Sequence, residues 1–251
     1  MEGDQVGTAI SLVIPAHNEA AYLPRLLDSV AAAQARYRGS IEVILADNAS
    51  TDRTASVAAA RGCRVVPVAK RTIGAARNGG ARAARGEILA FVDADSQIAA
   101  ETFNEIDRVM MDAAVIGGTS GARFERLSPG IVATHAMLAI VGAVLGGWRS
   151  LRDWHVDTGV VFCRRRDFEA IGGYREDRLF AEDVAFLLAL RDLARTRGQR
   201  LVRGTRAKAL FSTRKFDKYG DWHYFTMPVR LAWSALRGRD DVARRYWYED
   251  R

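Results

Sequence analysis

The chain has 251 residues, 49% hydrophobic and 27% charged; this length gives one large or two small domains, and the composition excludes disordered and collagen-like classes. Two cysteines, Cys63 and Cys163, exclude a disulfide framework and a Cys-rich zinc site and suit a reducing compartment. The net charge of +7 points to an anionic partner: a nucleotide, a phospholipid surface or a nucleic acid.

Met1 to Thr8 carries two acids and no basic run, so it does not read as a secretory leader. Ile10 to Pro15 is a short apolar run, long enough for a buried strand. Ala20 to Arg36 places Leu23, Leu26, Leu27 and Val30 at helical spacing. Ile41 to Ala46 predicts a second strand, with Ser50, Thr51 and Asp52 as candidate N-caps of a helix through Ala60. Arg64 to Val68 predicts a third strand, Gly74 to Arg85 an Ala-rich helix ended near Gly86, and Glu87 to Val92 a fourth strand. This rhythm implies a mostly parallel, doubly wound α/β sheet, whose ligands sit beyond the carboxyl ends of the strands.

The second half is less regular. Ala114 to Phe124 predicts one or two strands and Pro129 to Gly147 a helix. Thr158 to Cys163 predicts a strand, followed by a short helix and the turn at Gly172-Gly173-Tyr174. Ala181 to Arg197 predicts a helix, and Leu201 to Phe211 one extended basic segment. The apolar run Ile131 to Gly147 has 17 residues and contains His135; it is short for a span, which needs about 20, and is expected to be buried or membrane-facing, together with Trp148.

Polar residues gather at the strand ends: Pro15, Ala16, His17, Asn18 and Glu19 after the first, Asp47 to Asp52 after the second, Asp93-Ala94-Asp95 after the fourth. Two carboxylates two apart on an extended chain point the same way and can hold a hard divalent cation through oxygen. Asp47 can accept from a nucleobase edge or ribose hydroxyls, because Ser50 and Asp52 suit the cap role better. Glu182 and Asp183 open a helix. Acids there suit the helix dipole, but a carboxylate raised by its neighbour also suits a general base. Among Lys70, Arg71, Arg203, Arg206, Lys208, Arg214 and Lys215, the expected diphosphate contacts are Arg71, Arg214 and Lys215. The histidines His17, His135, His155 and His223 show no metal-ligand spacing. A lysine-bearing phosphate loop and a Gly-x-Ser-x-Gly elbow are both missing.

The segments Ser11–Glu19 (SLVIPAHNE), Ala46–Thr54 (ADNASTDRT), Gly74–Asn78 (GAARN) and Gly86–Asp95 (GEILAFVDAD) resemble family 2 glycosyltransferases of the GT-A fold. Asp157–Arg165, Ile171–Tyr174 and Ala181–Val184 are similar to that family's acceptor half. The resemblance covers about Ile10 to Leu190. It implies a donor half over about 8–118, an acceptor half over about 119–211 and a basic tail over about 212–251, in one catalytic domain. It implies a UDP- or GDP-sugar donor and Mg²⁺ or Mn²⁺. By the resemblance, Asp47 serves the nucleoside, Asp93 the ribose or metal, Asp95 the metal, and Asp183 is the base of an inverting displacement. Arg71, Ile73 and Gly74 lie near the base or phosphates, and Ser212 to Phe216 resembles the basic segment of short members.

Two departures matter. Asn48 stands where the family often has a second acid, and the Gln-x-x-Arg-Trp motif and membrane helices of processive synthases are missing, so a single transfer is expected. The acceptor is a lipid phosphate, a glycan end, a small metabolite or a protein, with no nucleic acid expected. The expected place is the cytoplasm, at the inner membrane face if the apolar run touches lipid. Two other readings stay open: a nucleotidyltransferase making a nucleotide-sugar, and a catalytically inactive basic binding protein.

Overall fold

The computed structural model describes residues 10–134, 136–137, 159–177, 182–204, 206–222 and 225, with the Lys215 side chain left out. The expectations on Met1–Thr8, His135, Leu138–Thr158 with Trp148 and His155, Ala181, His223 and the end of the tail lie outside these residues.

Four βα units come first: β1 (Ile10–Ala16), α1 (Leu23–Gln34), β2 (Ile41–Asp47), α2 (Thr54–Ala60), β3 (Arg64–Pro67), α3 (Ile73–Ala83), β4 (Ile88–Phe91) and α4 (Thr102–Met110). Then follow β5 (Val115–Thr119), β6 (Ala122–Phe124), a helical stretch α5 over 129–134 and 136–137, β7 (Val161–Arg164), α6 (Arg165–Ala170), α7 (Glu182–Thr196), β8 (Arg200–Arg203), β9 (Ala209–Phe211) and α8 (Arg214–Tyr219). Seven strands form one sheet in the order β3-β2-β1-β4-β7-β5-β8, and β6 pairs with β9 in a second, two-stranded sheet. Only β7 runs antiparallel to its neighbours, β4 and β5. The expected mostly parallel α/β architecture is present, and the carboxyl ends of β1, β2, β4, β5 and β8 share one edge.

The core lies on both faces of this sheet. Ile10, Leu12 and Ile14 pack on one face with Leu23, Leu26 and Leu27 of α1; Val13, Leu89 and Phe91 pack on the other with Phe186 and Leu190 of α7. This alternation explains why β1 reads as an unbroken apolar run: both faces are covered. Helix α1 begins at Leu23, later than the periodicity alone suggests, because Pro24 occupies its first turn. Helix α3 packs closely on the sheet because it is made of small residues. A Cβ on Gly80 would come within 2.3 Å of Val13 and one on Gly79 within 2.5 Å of Val68.

Two predicted segments are divided. Ala114–Phe124 splits into β5 and β6 at Gly121, whose φ of +66° suits glycine. Leu201–Phe211 is not one extended segment. Strand β8 joins the main sheet beside β5, whereas β9 pairs with β6 and bridges Gln97 through Leu210. That crossover carries residues 212–219 towards the Asp93–Asp95 turn. Cys63 and Cys163 are buried free thiols. Among the described residues no helix is long and apolar enough to cross a membrane.

Candidate active site

Strands β1 and β4 separate at the carboxyl edge. Their pairing ends at Val13↔Phe91, while β1 continues with β2 as far as Ala16↔Asp47. Pro15 is tolerated in this central strand because it lies beyond the last β4 pair. Pro15 and Ala16 are both buried, and the Ala16 carbonyl accepts from Asn48 N at 2.8 Å.

The turn after β1 is laced to the turn after β2. Asn18 sits at φ +54°, a conformation asparagine tolerates, and its Oδ1 accepts from Thr51 N at 2.8 Å. Asn18 N donates to Ser50 Oγ at 3.1 Å and Glu19 N to Thr54 Oγ1 at 2.8 Å. Asp52 accepts from Ala20 N at 3.1 Å and from Thr54 N at 2.9 Å, and these bonds, with the Thr54 hydroxyl, hold its carboxyl below its ordinary value against the cost of burial. Asp52 therefore steadies the start of α2, although the residue at the N-cap position is Arg53. Asp47 is not left wholly to a ligand: its Oδ1 accepts from Ser50 N at 3.2 Å. Asn48 has a role a carboxylate could not fill. Its amide donates to the Val68 carbonyl at 3.1 Å and the Lys70 carbonyl at 2.7 Å, tying the β3–α3 loop to the β2 turn.

That loop carries Arg71. Its Nη2 lies 2.8 Å from His17 Nε2. Arginine can only donate, so Nε2 accepts and the proton sits on Nδ1, which donates to the Asn48 carbonyl at 2.8 Å. A neutral His17 thus sets the direction of an exposed guanidinium at the mouth of the cleft. Ile73 and Gly74 open α3 directly after this loop. Gly74 packs against the segment after α6: a Cβ there would approach the Arg175 carbonyl oxygen to 2.8 Å.

The Asp93–Asp95 segment is a turn rather than extended chain, closed by Ser96 N donating to the Asp93 carbonyl at 3.1 Å with Ala94 buried. The turn sends the two carboxylates to different arginines. Asp95 Oδ2 lies 2.8 Å from Arg214 Nε. Both oxygens of Glu19, whose side chain is 2% exposed, accept from Arg214 at 2.7 Å, and the Arg214 guanidinium also stacks 4.7 Å over the Tyr22 ring. Glu19 and Arg214, both expected to face the donor, are thus paired with each other. Pro15 and Ala16 are buried, and the Asn18 and Glu19 side chains are engaged within the protein.

Asp93 turns the other way, to Arg77 Nη2 at 2.9 Å. Arg77 Nη1 reaches Glu182 Oε1 at 3.0 Å and also hydrogen-bonds Asp183. The Arg77 side chain is 5% exposed, whereas Asp93 is 41% and Asp183 27% exposed, so both of these carboxylates remain partly open to solvent. Burial pushes the Asp183 carboxyl up to about 7; Arg77 opposes this, and Glu182 and Asp93 add to it. The reading of the sequence gave Arg77 no role. The usable signal was a charged residue within a helix of Gly and Ala, where burial of a cation demands carboxylate partners. Asn78 beside it donates to the Tyr174 carbonyl at 2.8 Å and accepts from Tyr174 N at 2.8 Å, which fixes the Gly172-Gly173-Tyr174 turn against α3.

Among the described residues no group of three or more His, Cys, Asp and Glu is arranged to hold a metal alone; the cation at the centre of the carboxylate cluster is Arg77. Asp93 and Asp95 each spend one oxygen on an arginine and remain partly exposed. A magnesium-like cation needs only one or two carboxylates when substrate phosphates complete its shell, so this pair fits a cation that arrives with a diphosphate.

The sequence model described as glycosyl transferase family 2 matches residues 11–139, just over half the chain. An uncharacterized glycosyltransferase of Mycobacterium tuberculosis, Rv0539, is 40% identical over 92 residues, covering 37% of this chain and 39% of its own length. The undecaprenyl-phosphate 4-deoxy-4-formamido-L-arabinose transferase of Pseudomonas paraeruginosa is 40% identical over 112 residues, 42% of this chain and 32% of its own. The matches thus span well under half of these relatives. Among solved structures, glucosyl-3-phosphoglycerate synthase from M. tuberculosis, bound to Mn²⁺, UDP and product, superposes with a TM-score of 0.62 at 20% identity, over 80% of this chain and 71% of that one. The mannosyltransferase PcManGT from Pyrobaculum calidifontis, with GDP-Man and Mn²⁺, gives 0.60 at 21%, over 80% and 56%. The fold is that of GT-A glycosyltransferases. With a split sheet edge, an Asp-x-Asp turn on it and a sequence match through both, the chain belongs to glycosyl transferase family 2.

Proposed function

We propose that the protein transfers one sugar from a nucleoside-diphosphate sugar to an acceptor hydroxyl or phosphate, with inversion and with a divalent cation. The observation that carries this reading is the pair of partly exposed carboxylates, Asp93 on the donor side and Asp183 on the acceptor side, held by one buried arginine. Relatives in fold bind UDP with Mn²⁺ and GDP-Man with Mn²⁺, which supports both the donor class and the metal.

In this reading Asp47 takes the nucleoside and Arg71 the base or phosphates. Asp93 and Asp95 hold the cation, Mg²⁺ or Mn²⁺, which when bound offsets charge on the departing diphosphate. Asp183 accepts the proton of the acceptor hydroxyl as the new oxygen–carbon bond forms at the anomeric carbon and the bond to the diphosphate oxygen breaks on the opposite face. Its value of about 7 suits a base that works near neutrality. Glu182 keeps the base raised by its own negative charge. Holding donor and acceptor in one cleft supplies orientation. Arg214 stands beside Asp95 and Glu19, where it can also meet a phosphate. Lys215 belongs to the same expectation, but its side chain lies outside the described residues.

Peripheral membrane contact from the cytoplasmic side belongs to the same proposal. Leu127, Val132 on α5 and Trp222 are exposed, which supports a lipid-facing patch. Absence of co-sedimentation with anionic vesicles at low salt would remove this part.

Calorimetry with UDP and GDP, each with Mn²⁺ and with EDTA, tests the core of the reading. Metal-dependent binding of one nucleotide is expected, and Asp95→Ala should abolish it. Equal binding with EDTA would reject the cation, and binding of neither nucleotide would reject the UDP- or GDP-sugar donor class.

A further inference from the structure

Arg77 is a charged residue the proposed chemistry has not yet used. It projects from α3, a helix whose buried positions are otherwise glycine, alanine and asparagine. Its carboxylate partners come from two places far apart in sequence: Asp93 follows β4, and Glu182 and Asp183 open α7. The guanidinium has an apolar back. Its Cζ lies 5.0 Å over the Tyr174 ring, and Tyr174 stacks on Phe186 of α7 at 4.0 Å and 9°. Phe186 follows Asp183 by three positions, so both project from one face of α7. Arg77 therefore grips the start of α7 twice, by charge through Asp183 and through the ring of Tyr174. Its Nε is buried without a hydrogen-bond partner, so the hydrogen bonding is carried by the two terminal nitrogens, one for each side of the cleft.

We propose that Arg77 is a positioning residue for transfer: from inside the fold, its planar fork ties the donor-side carboxylate Asp93 to the acceptor-side carboxylate Asp183 and so sets their separation across the cleft. The proposal rests on the reading of Asp183 as base. At 5% exposure the guanidinium does not meet substrate and acts through the carboxylates. Glu182, 12% exposed, is buried with the guanidinium and alone would serve a purely structural pair. The other two partners remain partly open to solvent. Lysine cannot substitute, because one ammonium lacks the fixed fork that serves two carboxylates at once. Displacement of a reacting group by about 1 Å costs on the order of 100-fold in rate.

The test is a double-mutant cycle on donor hydrolysis, which needs no identified acceptor. Release of nucleoside diphosphate from UDP-glucose and GDP-mannose with Mn²⁺ is followed for wild type, Arg77→Lys, Asp183→Asn and the double variant. Calorimetric nucleotide affinity is measured on each. Arg77→Lys is expected to lower kcat about 100-fold while nucleotide Kd changes less than about threefold. In the Asp183→Asn background the same substitution is expected to cost almost nothing, because residues that act as a unit are non-additive. Multiplying losses would overturn the proposal, and so would a loss confined to nucleotide affinity. If Arg77→Lys does not fold, Glu182→Gln loosens one arm of the fork; a kcat-only loss of about tenfold that vanishes beside Asp183→Asn supports the same conclusion, and an additive loss rejects it. A wild-type protein that neither binds nucleotide nor turns over donor rejects the glycosyl-transfer reading, and the role of Arg77 falls with it. An additive cycle in an active enzyme rejects Arg77 alone.

Discussion

The turns after β1 and β2 and the cluster around Arg77 lie on one edge of one sheet, yet different forces hold them. The turns after β1 and β2 are joined mostly by neutral hydrogen bonds from or to Asn18, Asn48, Ser50, Thr51 and Thr54. The Arg77 cluster is joined by one guanidinium among three carboxylates. Mostly neutral lacing leaves the shape of these turns less dependent on charge than the hub is, with Asp47, Asp52 and His17 as their titratable members. An ionic hub around a buried guanidinium is more fragile, since loss of one member leaves the others charged and unpaired. The turns are thus held mainly by neutral hydrogen bonds and the Arg77 cluster by charge.

The largest expected effect falls on chemistry at the hub. Asp183→Asn keeps the side chain's size and removes the base, so kcat should fall by roughly 1,000-fold or more with nucleotide affinity preserved; isothermal titration beside turnover checks both. A nucleotide affinity that falls with kcat would move Asp183 to the donor side. Removal of the hub cation is next. Arg77→Met should cost about 3–5 kcal/mol of stability, because three carboxylates lose their shared partner, and denaturant unfolding measures it. A cost below about 1 kcal/mol would show that the hub contributes little to folding.

The laced side should respond less. Asn48→Asp replaces an amide that donates to two carbonyls by a carboxylate that cannot. A loss of about 1–3 kcal/mol is expected, together with weaker nucleotide binding as the Arg71 loop comes loose. A neutral result would mean that the Val68 and Lys70 carbonyls find other donors.

The two sides should also differ in their response to pH. Asp183 would ionise near 3.8 in the unfolded chain and is pushed up to about 7 in the fold. The base works when deprotonated, so kcat should rise about tenfold per pH unit below 7 and level off above. The sign for stability is opposite. The folded state holds this proton more tightly, so the linked stability is full below about pH 4 and is lost as pH rises through 7. Metal-dependent nucleotide affinity should stay flat over pH 6 to 8, and a nucleotide affinity that tracks the kcat limb would break the comparison.

The smallest effect concerns backbone strain. Ala49 sits at φ +56°, a left-handed conformation that costs an L-residue about 1 kcal/mol or more. Ala49→Gly relieves the strain but loosens the unfolded chain, so a net gain under about 1 kcal/mol is expected, read as a small rise in Tm.

Most of the sheet was legible because βα units are local. Alternating apolar runs and amphipathic stretches report burial on each face, and strands β1 to β4 fall where those runs lie. The family was legible because its motifs sit at the ends of those strands. What failed had one cause. The residues Asp93–Asp95 do not form the expected extended chain, nor Leu201–Phe211 the expected single extended segment, since local pattern carries no account of which distant strand or side chain competes for the backbone. Strand β6, the Gln97 bridge and the Ser96 turn decided both.

The sequence by itself determined the mostly parallel sheet, the edge on which polar residues gather, and the family, because these follow from local periodicity and motif. Only the tertiary structure decided which charges meet. It paired Glu19 with Arg214 and gave Arg77 three carboxylates. The physical reason is that a buried charge takes its partner from whatever the chain brings near it, and partners 16 to 195 residues apart leave no local trace.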